Sequence, residues 1–363
     1  MSSKVLLTGG KGFTGHYLYQ SLQDDGYNVY HLQADITNKV ILKEEINKLE
    51  PEYVIHLAAI SFPAEKNIDS IYKVNALGTI NLLEVLSGLE KTPKKIILAS
   101  SATIYGNSTK EVLDETTIPD PRSHYGCSKL IMEFMSKNFL DKLPIIITRP
   151  FNYTGIGHDS NTLIPKIVST FKSKKDYIYL GNINISREFN DVRDVSLIYT
   201  KLLASPSKSG TFNICSGNSV SLLKIINIME SISNHKLEIK IDNDLIRPNE
   251  VESLSGCTKK LSSELDLSFK YDIEDTLSWI YENEILDFSK WIQEYHLNFC
   301  ITYMDKTLEH FWSSWEALIM IKFINNSKDE PFNILRDRYN EALSSGQKSI
   351  EALAISSFSR ADN

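Results

Sequence analysis

The chain has 363 residues, of which 42% are hydrophobic and 23% charged, and this is typical of one large or two medium globular domains with a substantial core. Its net charge of −7 argues against a nucleic-acid surface, which would need a basic patch. No apolar run reaches the roughly 20 residues of a membrane span, no secretory signal opens the chain, and the scattered cysteines lack metal-ligand spacing. We therefore expect a cytoplasmic protein with free thiols, no bound metal, and no nucleic-acid or membrane partner.

The first predicted element is a strand, Lys4–Thr8, which leads through a glycine-rich loop into a helix. The loop contains Gly9, Gly12 and Gly15, and the apolar residues after it recur at helical spacing. Glycines at these positions let the backbone approach a pyrophosphate, whose charge then lies at the helix N-terminus. The same spacing also occurs in ordinary tight turns, but its place between a strand and a helix favours dinucleotide binding.

The second predicted strand, residues 28–32, is followed by Gln33, where folds that prefer NAD usually carry a carboxylate for the ribose hydroxyls. A glutamine does not repel a 2′-phosphate, and Lys11 in the glycine loop could attract one. We therefore predict that NADPH is accepted and preferred while NADH is also usable, unless Lys11 points into solvent. Asp35 follows shortly afterwards and could hydrogen-bond the adenine.

The remaining predicted strands of the first half are residues 53–57, 95–99 and 144–148, with helices at residues 71–86 and 123–139. Strands and helices that alternate over about 150 residues indicate a doubly wound parallel sheet, an α/β fold of Rossmann type. Ligands of such folds bind at the carboxyl ends of the strands. We therefore expect the residues that follow the strands to surround one site.

Tyr125 and Lys129 lie four residues apart in the last of these helices and so share one face. A lysine ammonium beside a phenol favours the phenolate, so we expect the pKa of Tyr125 to fall below its usual value. Such a tyrosine can exchange a proton with an alcohol or a ketone near neutral pH. This spacing is also common on helix surfaces, so on its own it is weak evidence for catalysis and the rest of the chain must support it.

Together these features resemble the extended short-chain dehydrogenase/reductase family of nucleotide-sugar enzymes, over about residues 4–283. The motifs that carry the resemblance are, in chain order, Thr8-Gly9-Gly10-Lys11-Gly12-Phe13-Thr14-Gly15, His56-Leu57-Ala58-Ala59, Ser101-Ala102-Thr103-Ile104-Tyr105-Gly106, Tyr125-Gly126-Cys127-Ser128-Lys129 and Arg149-Pro150-Phe151-Asn152. Within the family, the second half is most similar to GDP-4-keto-6-deoxy-mannose reductases, through residues 149–157, 181–195, 212–217 and 247–251.

The resemblance implies a catalytic set and two groups of ligand-binding residues. The catalytic set is Ser101, Tyr125 and Lys129. The residues expected at the cofactor, NADP(H) or NAD(H), are Gly9, Lys11, Gly12, Phe13, Thr14, Gly15, Asp35, Ile36, Leu57, Ala58, Ala59, Asn75, Ser100, Tyr125, Lys129 and Pro150. Those expected at a nucleotide-diphosphate sugar are Ser101, Thr103, Asn152, Arg187, Arg247 and Glu250. Arginine forks match phosphate oxygens bidentately, although Arg247 could instead form a surface ion pair.

By the same resemblance, residues 1–150 and about 186–205 form an NAD(P)-binding Rossmann domain. Residues 151–185 and about 206–285 form a smaller α/β domain that binds the nucleotide sugar, and the expected assembly is a homodimer. Residues 286–363 lie outside the resemblance and contain apolar residues at helical spacing. We expect a helical extension that covers a hydrophobic surface, with partner binding or oligomerisation as the alternative.

The implied reaction is NAD(P)H-dependent reduction of a nucleotide-linked 4-keto-6-deoxy sugar at C4, for deoxysugar and surface polysaccharide biosynthesis. Tyr125 would supply the proton, Ser101 would hydrogen-bond the carbonyl oxygen, and Lys129 would bind the nicotinamide ribose. A 4-epimerase would use the same three residues but keep its NAD tightly bound. A 4,6-dehydratase would need an acidic residue after Ser101, where this chain has Ala102 and Thr103. A non-catalytic NAD(P)-sensing protein would have no need for the intact catalytic set.

Overall fold

The computed structural model describes residues 2–61, 67–106, 108, 110–246, 253–266 and 268–283, so the predicted extension at residues 286–363 lies outside the described residues. The strands in this part are β1 (Lys4–Thr8), β2 (Asn28–His31), β3 (Tyr53–His56), β4 (Lys95–Ala99), β5 (Val112–Leu113), β6 (Ile145–Pro150), β7 (Tyr153–Thr154), β8 (Tyr177–Leu180), β9 (Ser186–Arg187), β10 (Asn190–Asp191), β11 (Gly210–Ile214), β12 (Val220–Ser221), β13 (Glu238–Ile241) and β14 (Ser253–Gly256). The α-helices are α1 (Phe13–Asp24), α2 (Lys39–Leu49), α3 (Ile68–Tyr72), α4 (Thr79–Ser87), α5 (His124–Ser136), α6 (Leu163–Lys172), α7 (Val192–Ala204), α8 (Leu222–Ser233), α9 (Lys259–Glu264) and α10 (Ile273–Asn283). A π-helical turn, Lys73–Gly78, joins α3 to α4, and 3₁₀ turns span Ala102–Tyr105, Lys137–Phe139 and Asn243–Leu245. Within this part of the chain, no helix is both long and apolar enough to span a membrane.

Six strands form one parallel sheet in the order β11-β6-β4-β3-β1-β2. Most of them are short runs of apolar residues, the composition of strands that are buried on both faces. Val5 and Leu7 point into a core formed with α1 and α7, whereas Leu6 between them points into a second core formed with α2 and α4. The predicted doubly wound α/β sheet of Rossmann type is therefore confirmed.

The edge strand β11 changes the domain boundary expected from the sequence. From the resemblance we place residues 206–285 in the sugar-binding domain, whereas Gly210–Ile214 pairs in parallel with Ile145–Pro150 of the main sheet. Helix α9 also places Leu261 in the core beside α1 and α7. A strand of 5 residues carries no sign of the sheet to which it belongs, so the sequence pattern could not separate the two possibilities.

Beside the main-sheet region, the described residues form a second region, which is built from three helices and several short strands. Helices α6, α8 and α10 surround a separate core that includes Ile167, Ile225 and Leu277. Beside them, β8 pairs in parallel with β13, and β7 pairs in parallel with β10. A four-stranded sheet in the order β12-β9-β14-β5 joins this region to Val112–Leu113 of the first half.

The main sheet places the predicted site residues at one edge. Strands β6, β4, β3 and β1 are adjacent and parallel, so their carboxyl ends lie side by side. The residues that follow these ends are Phe151, Ser100, Leu57 and Gly9. This is the edge at which ligands of doubly wound sheets bind.

Candidate active site

Helix α5 carries Tyr125 and Lys129 to the carboxyl end of β4. The helix starts after Ser123, whose hydroxyl accepts a hydrogen bond from the Gly126 N–H at 3.1 Å and caps it. Lys129 is buried, and its Nζ donates to the Ala99 carbonyl at 2.7 Å. The same Nζ lies 5.9 Å from the centroid of the Tyr125 ring. The cap and the lysine bond therefore fix the tyrosine beside the sheet edge.

Ser101 completes the predicted catalytic set. It caps the 3₁₀ turn Ala102–Tyr105, and its Oγ accepts from the Thr103 hydroxyl at 2.9 Å and from the Thr103 N–H at 3.2 Å. Ser101 also lies close enough to Tyr125 to lower the pKa of its phenol. Because its oxygen already accepts from Thr103, its own proton is available to the tyrosine oxygen. The structure thus brings Ser101, Tyr125 and Lys129 together, and their roles in a reaction stay predictions.

The charges in this cluster differ from the expectation that Lys129 lowers the pKa of Tyr125. Burial and the neighbouring Tyr153 phenol raise the pKa of Tyr125, and the nearby Ser101 only partly opposes the rise. Burial also lowers the pKa of Lys129 to about 8, against the opposing effect of Glu133. The expectation was wrong because desolvation disfavours both charged forms. The neutral phenol, which is the proton-donating form, therefore predominates near neutral pH.

Tyr153 is a residue of this cluster that the sequence pattern did not indicate. Its hydroxyl shares a 2.7 Å hydrogen bond with the Thr14 hydroxyl, and its ring stacks on Phe13 at a centroid distance of 6.1 Å. Phe13 also stacks on His158 at 4.5 Å, so the first turn of α1 is joined to the segment after β6. The available signal was its position directly after Asn152, a predicted sugar ligand.

The glycine loop has the shape that a dinucleotide requires. A Cβ on Gly9, whose φ is +69°, would lie 2.7 Å from the Ala58 backbone nitrogen, so a side chain does not fit there. A Cβ on Gly15 would overlap the Gly9 carbonyl oxygen, which shows how closely α1 approaches the loop. Gly12 precedes α1 and has no side chain to cap the helix. The first N–H groups of α1 are therefore available to a pyrophosphate.

Two buried polar atoms at the strand ends support the fit of a cofactor. Ser100 Oγ and His31 Nδ1 are buried without a hydrogen-bond partner among the described residues. Near the end of β2, the Lys11 ammonium donates to Gln33 at 3.4 Å. Buried polar atoms are normally paired, so unpaired ones at two strand ends are expected where a polar ligand binds. The residues at this edge therefore fit the predicted NAD(P).

Asn75 makes hydrogen bonds within the protein, and its predicted contact with the cofactor stays a prediction. It lies in the π-helical turn and is fully buried. Its amide donates to the Ile60 carbonyl and to the Ser128 hydroxyl, both at 3.0 Å, and its Oδ1 accepts from the Ile60 N–H at 2.8 Å. Both amide hydrogens are used in these bonds, and the side chain thereby links the loop after β3 to α5. These bonds give Asn75 a structural connection between the two segments.

The other predicted cofactor residues lie at the strand ends. Residues 57–59 follow β3 and are partly exposed, and Pro150 ends β6. Asp35 follows β2, and hydrogen bonds from the Thr37 N–H and hydroxyl lower its pKa. The Ile36 side chain is buried in the core, so a contact with a ligand would come from its backbone.

The predicted sugar-binding residues are only partly described. Asn152 follows β6 and is exposed, as is Thr103 next to the catalytic set. Arg187 lies in β9, where its Nη1 donates to the carbonyl of the preceding residue at 2.8 Å. Arg247 and Glu250 lie outside the described residues. Binding of a diphosphate by these side chains stays a prediction.

Comparisons with known sequences identify relatives of this chain. A sequence profile of the family described as GDP-mannose 4,6 dehydratase matches residues 31–279. The chain is 32% identical over 292 residues to a GDP-6-deoxy-D-talose 4-dehydrogenase from Aggregatibacter actinomycetemcomitans, a match that covers 79% of this chain and 99% of that protein. It is 28% identical over 277 residues to a GDP-6-deoxy-D-mannose reductase from Pseudomonas aeruginosa, which covers 72% and 90% respectively.

Solved structures share the same architecture. A candidate epimerase from Burkholderia cenocepacia J2315 is 38% identical, with a TM-score of 0.73, over 77% of this chain and 97% of that one. RMD from Pseudomonas aeruginosa, solved in complex with NADPH, is 26% identical, with a TM-score of 0.71, over 78% and 97%. The matches therefore extend over both regions of the described chain.

Proposed function

The chain belongs to the GDP-mannose 4,6-dehydratase family of extended short-chain dehydrogenases/reductases, and from this premise we propose that it reduces a nucleotide-linked 4-keto-6-deoxy sugar at C4 with NAD(P)H. The family consists of NAD(P)-dependent oxidoreductases and epimerases of nucleotide sugars. Two relatives are named for redox chemistry on GDP-linked 6-deoxy sugars, one as a 4-dehydrogenase and one as a reductase. Their names support a GDP-linked 6-deoxy sugar as the first candidate substrate.

The observation that carries the proposal is the hydrogen-bonded group at the end of β4. Ser101 accepts from Thr103, so its one proton can turn from Tyr125 to a bound carbonyl oxygen, which would then receive hydrogen bonds from both hydroxyls. Because burial keeps the phenol neutral, Tyr125 can donate its proton as negative charge develops on that oxygen. When bound, NAD(P)H would supply the reducing equivalent.

Lys129 is proposed to stabilise the product of proton transfer. Proton donation leaves a phenolate, and the Lys129 ammonium, 5.9 Å from the ring centroid of Tyr125, would stabilise that charge. The attraction is strong because the lysine is buried and little water screens it. Lys129 is thus proposed to favour the phenolate, an effect on the pKa of Tyr125 that burial outweighs in the resting protein.

The turn after Ser101 argues against a 4,6-dehydratase. Elimination of water across C5 and C6 requires an acid–base pair beside the sugar, whereas the next two positions hold the buried methyl group of Ala102 and the hydroxyl of Thr103. A 4-epimerase is the second candidate, because a solved structure that is 38% identical is that of a candidate epimerase. An epimerase returns the hydride to the same sugar, so it would keep its coenzyme bound.

Turnover with a panel of GDP-, dTDP-, CDP- and UDP-linked 4-keto-6-deoxy sugars tests the proposal. We expect stoichiometric oxidation of NAD(P)H, fastest with the GDP-linked sugar, and a 4-hydroxy product that NMR identifies. Tyr125→Phe protein, purified in the same way, controls for contaminating activity. Purified protein that retains one NAD per chain and interconverts 4-hydroxy sugars without added coenzyme would overturn the reductase in favour of the epimerase.

A further inference from the structure

A chain of buried hydrogen bonds runs through His56, a residue that has no part in the proposed reaction. The Ala58 N–H donates to the Thr8 hydroxyl at 3.1 Å, and that hydroxyl lies 2.7 Å from His56 Nδ1. On the other side of the ring, His56 Nε2 lies 2.8 Å from the Thr79 hydroxyl, which donates to the Asn75 carbonyl at 2.8 Å. The side chains that form this chain are at most 1% exposed.

Only one tautomer of His56 satisfies every hydrogen bond in this series. Thr79 donates to a carbonyl, so its oxygen must accept from the N–H at His56 Nε2. Nδ1 is then the acceptor, and Thr8 donates to it while accepting from the Ala58 N–H. Burial, together with the charge of Lys129, lowers the pKa of His56 to about 3, so the ring is neutral near neutral pH. Every bond points the same way, and such bonds strengthen one another.

The connection continues from Asn75 to the helix that carries the predicted catalytic tyrosine. The Asn75 amide donates to the Ser128 hydroxyl at 3.0 Å, and Ser128 donates to the Tyr125 carbonyl at 2.7 Å. Asn75 also holds the N–H and the carbonyl of Ile60, at 2.8 Å and 3.0 Å. Its place in a π-helical turn fits this use, since such turns are frequent at functional sites. The series therefore links the cofactor edge of β1 and β3 with the backbone of Tyr125.

We propose that His56 is a positioning residue that sets the place of Tyr125 relative to the loops that hold the cofactor. The kinetic part of this inference rests on the proposed reductase function. Transfer between positioned groups depends steeply on alignment, and a displacement of about 1 Å can cost roughly 100-fold in rate. A fully bonded polar chain fixes direction as well as distance, which apolar packing does not. His56 acts through Thr79 and Asn75 rather than by touching the sugar.

Thr79 offers the most selective interruption of the chain. Thr79→Val keeps the shape of the side chain but removes the hydroxyl that connects His56 to Asn75, whereas Thr79→Ser keeps that hydroxyl. Thr200 in α7 is a matched control, because its hydroxyl is equally buried and also donates to the carbonyl four residues earlier, at 3.1 Å. Its other hydrogen bond is with the Ser21 hydroxyl, which takes no part in the hydrogen-bond series through His56. Thr200→Val thus measures the loss of a buried hydroxyl alone.

The experiment compares kcat, KM, NADPH affinity by calorimetry and unfolding temperature in the wild type and these three variants. We expect Thr79→Val to lower kcat about 10-fold while NADPH affinity stays within about 3-fold. Thr79→Ser should recover most of the rate. Thr200→Val should lower the unfolding temperature by a similar amount and leave kcat within about 2-fold. Equal kcat in the two valine variants, or no recovery in Thr79→Ser, would overturn the positioning role.

Hydrogen–deuterium exchange separates this inference from the proposed reaction. The backbone amides of residues 125–129 should exchange faster in Thr79→Val than in Thr200→Val, whether or not a keto sugar is reduced. A wild type that is inactive with every sugar but shows this difference would remove the reductase and retain the positioning role. Unchanged exchange in Thr79→Val would remove the positioning role, even in an active enzyme.

Discussion

The cofactor edge of the main sheet and the junction with the second region bury different kinds of polar groups. In the sheet region, the buried chain from Thr8 to Ser128 consists of hydroxyls, an amide and a neutral imidazole. Where the two regions meet, the stretch of residues 188–194 supplies buried carboxylates as acceptors. Glu188, which is 1% exposed, accepts from the backbone N–H groups of Gly256 at 2.6 Å and Ser216 at 2.8 Å. The hydrogen-bond series beside the predicted site is thus neutral, although the sheet region also buries Lys129 and the Arg149–Glu133 ion pair, whereas the junction uses carboxylates.

The difference follows from how the two regions are built. The parallel strands of the main sheet satisfy most of their own backbone groups, whereas the second region joins short segments whose N–H groups need other acceptors. Asp194 accepts from the N–H groups of Lys270 and Tyr271, each at 2.9 Å. Asp191 accepts from the Thr276 hydroxyl, also at 2.9 Å. Carboxylates on one stretch therefore tie together segments that are far apart in the sequence.

The largest expected effect tests whether the chemistry lies in the main-sheet region. Tyr125→Phe should lower kcat by roughly 10²–10⁴-fold, the usual contribution of a positioned acid, while NADPH affinity persists. Steady-state kinetics and calorimetry measure the two quantities. Tyr199→Phe is the control, because that hydroxyl is also buried but lies 2.7 Å from Thr148. A Tyr125→Phe enzyme with more than half the wild-type rate would place the proton donor elsewhere.

The second-largest expected effect tests whether the second region binds the substrate. Arg187→Ala should raise KM about 10–100-fold and change kcat less, because the diphosphate keeps its charge during the reaction. Arg193→Lys is the control, since Arg193 bonds to Asp191 at 2.7 Å. Its guanidinium also stacks at 3.7 Å on Tyr271 and Trp279, so we expect lower stability and an unchanged KM. Lower kcat with unchanged KM in Arg187→Ala would assign that arginine to the transition state.

The same comparison explains how much of the fold the sequence could predict. Lys4–Thr8 and Lys95–Ala99 begin and end where predicted, because each is an apolar run followed by small or polar residues. The helix predicted at residues 71–86 is instead α3, a π-helical turn and α4. Helical periodicity does not reveal such a turn, in which Asn75 hydrogen-bonds to Ile60 and Ser128 from other segments. Elements fixed by local pattern were predictable, and those fixed by distant partners were not.

The candidate site shows the same division between position and environment. Motifs placed Ser101, Tyr125 and Lys129 at one edge of the sheet, and the structure brings them together. The direction of the tyrosine pKa depends on burial and on Tyr153, which no spacing reveals. Glu188 bonds to groups 28 and 68 residues away, so its role could not be predicted from periodicity.

A smaller effect tests the exposed rim of the sheet region. Lys11→Ala should lower kcat/KM for NADPH about 2–5-fold and leave that for NADH unchanged, because an exposed ion pair contributes little. The difference should shrink at high salt, which screens exposed charges. Lys39→Ala is the control, since that exposed lysine pairs with Glu84 instead. A wild type that strongly prefers NADH would contradict the role of Lys11.

The smallest expected effect is a difference in the response of the two regions to acid. Burial raises the pKa of Glu188, and its N–H donors oppose the rise only in part. Between the usual glutamate pKa of about 4.3 and the raised value, the folded state binds more protons at this site, so its contribution to stability falls as pH rises. His56, with its pKa lowered to about 3, acts oppositely. Its contribution falls as pH drops below about 6.5.

Glu188→Gln isolates the carboxylate side of this balance. Glutamine has nearly the same size but does not titrate, so the variant loses the contribution of Glu188 and keeps that of His56. The unfolding free energy, measured in urea between about pH 4.5 and 6.5, should therefore rise more steeply with pH in the variant, by at most about 1.4 kcal/mol per pH unit. Glu274→Gln, at the exposed start of α10, should keep the wild-type slope. A shallower slope in Glu188→Gln would mean that the N–H donors favour the carboxylate more than burial opposes it, and the two regions would then respond to acid in the same direction.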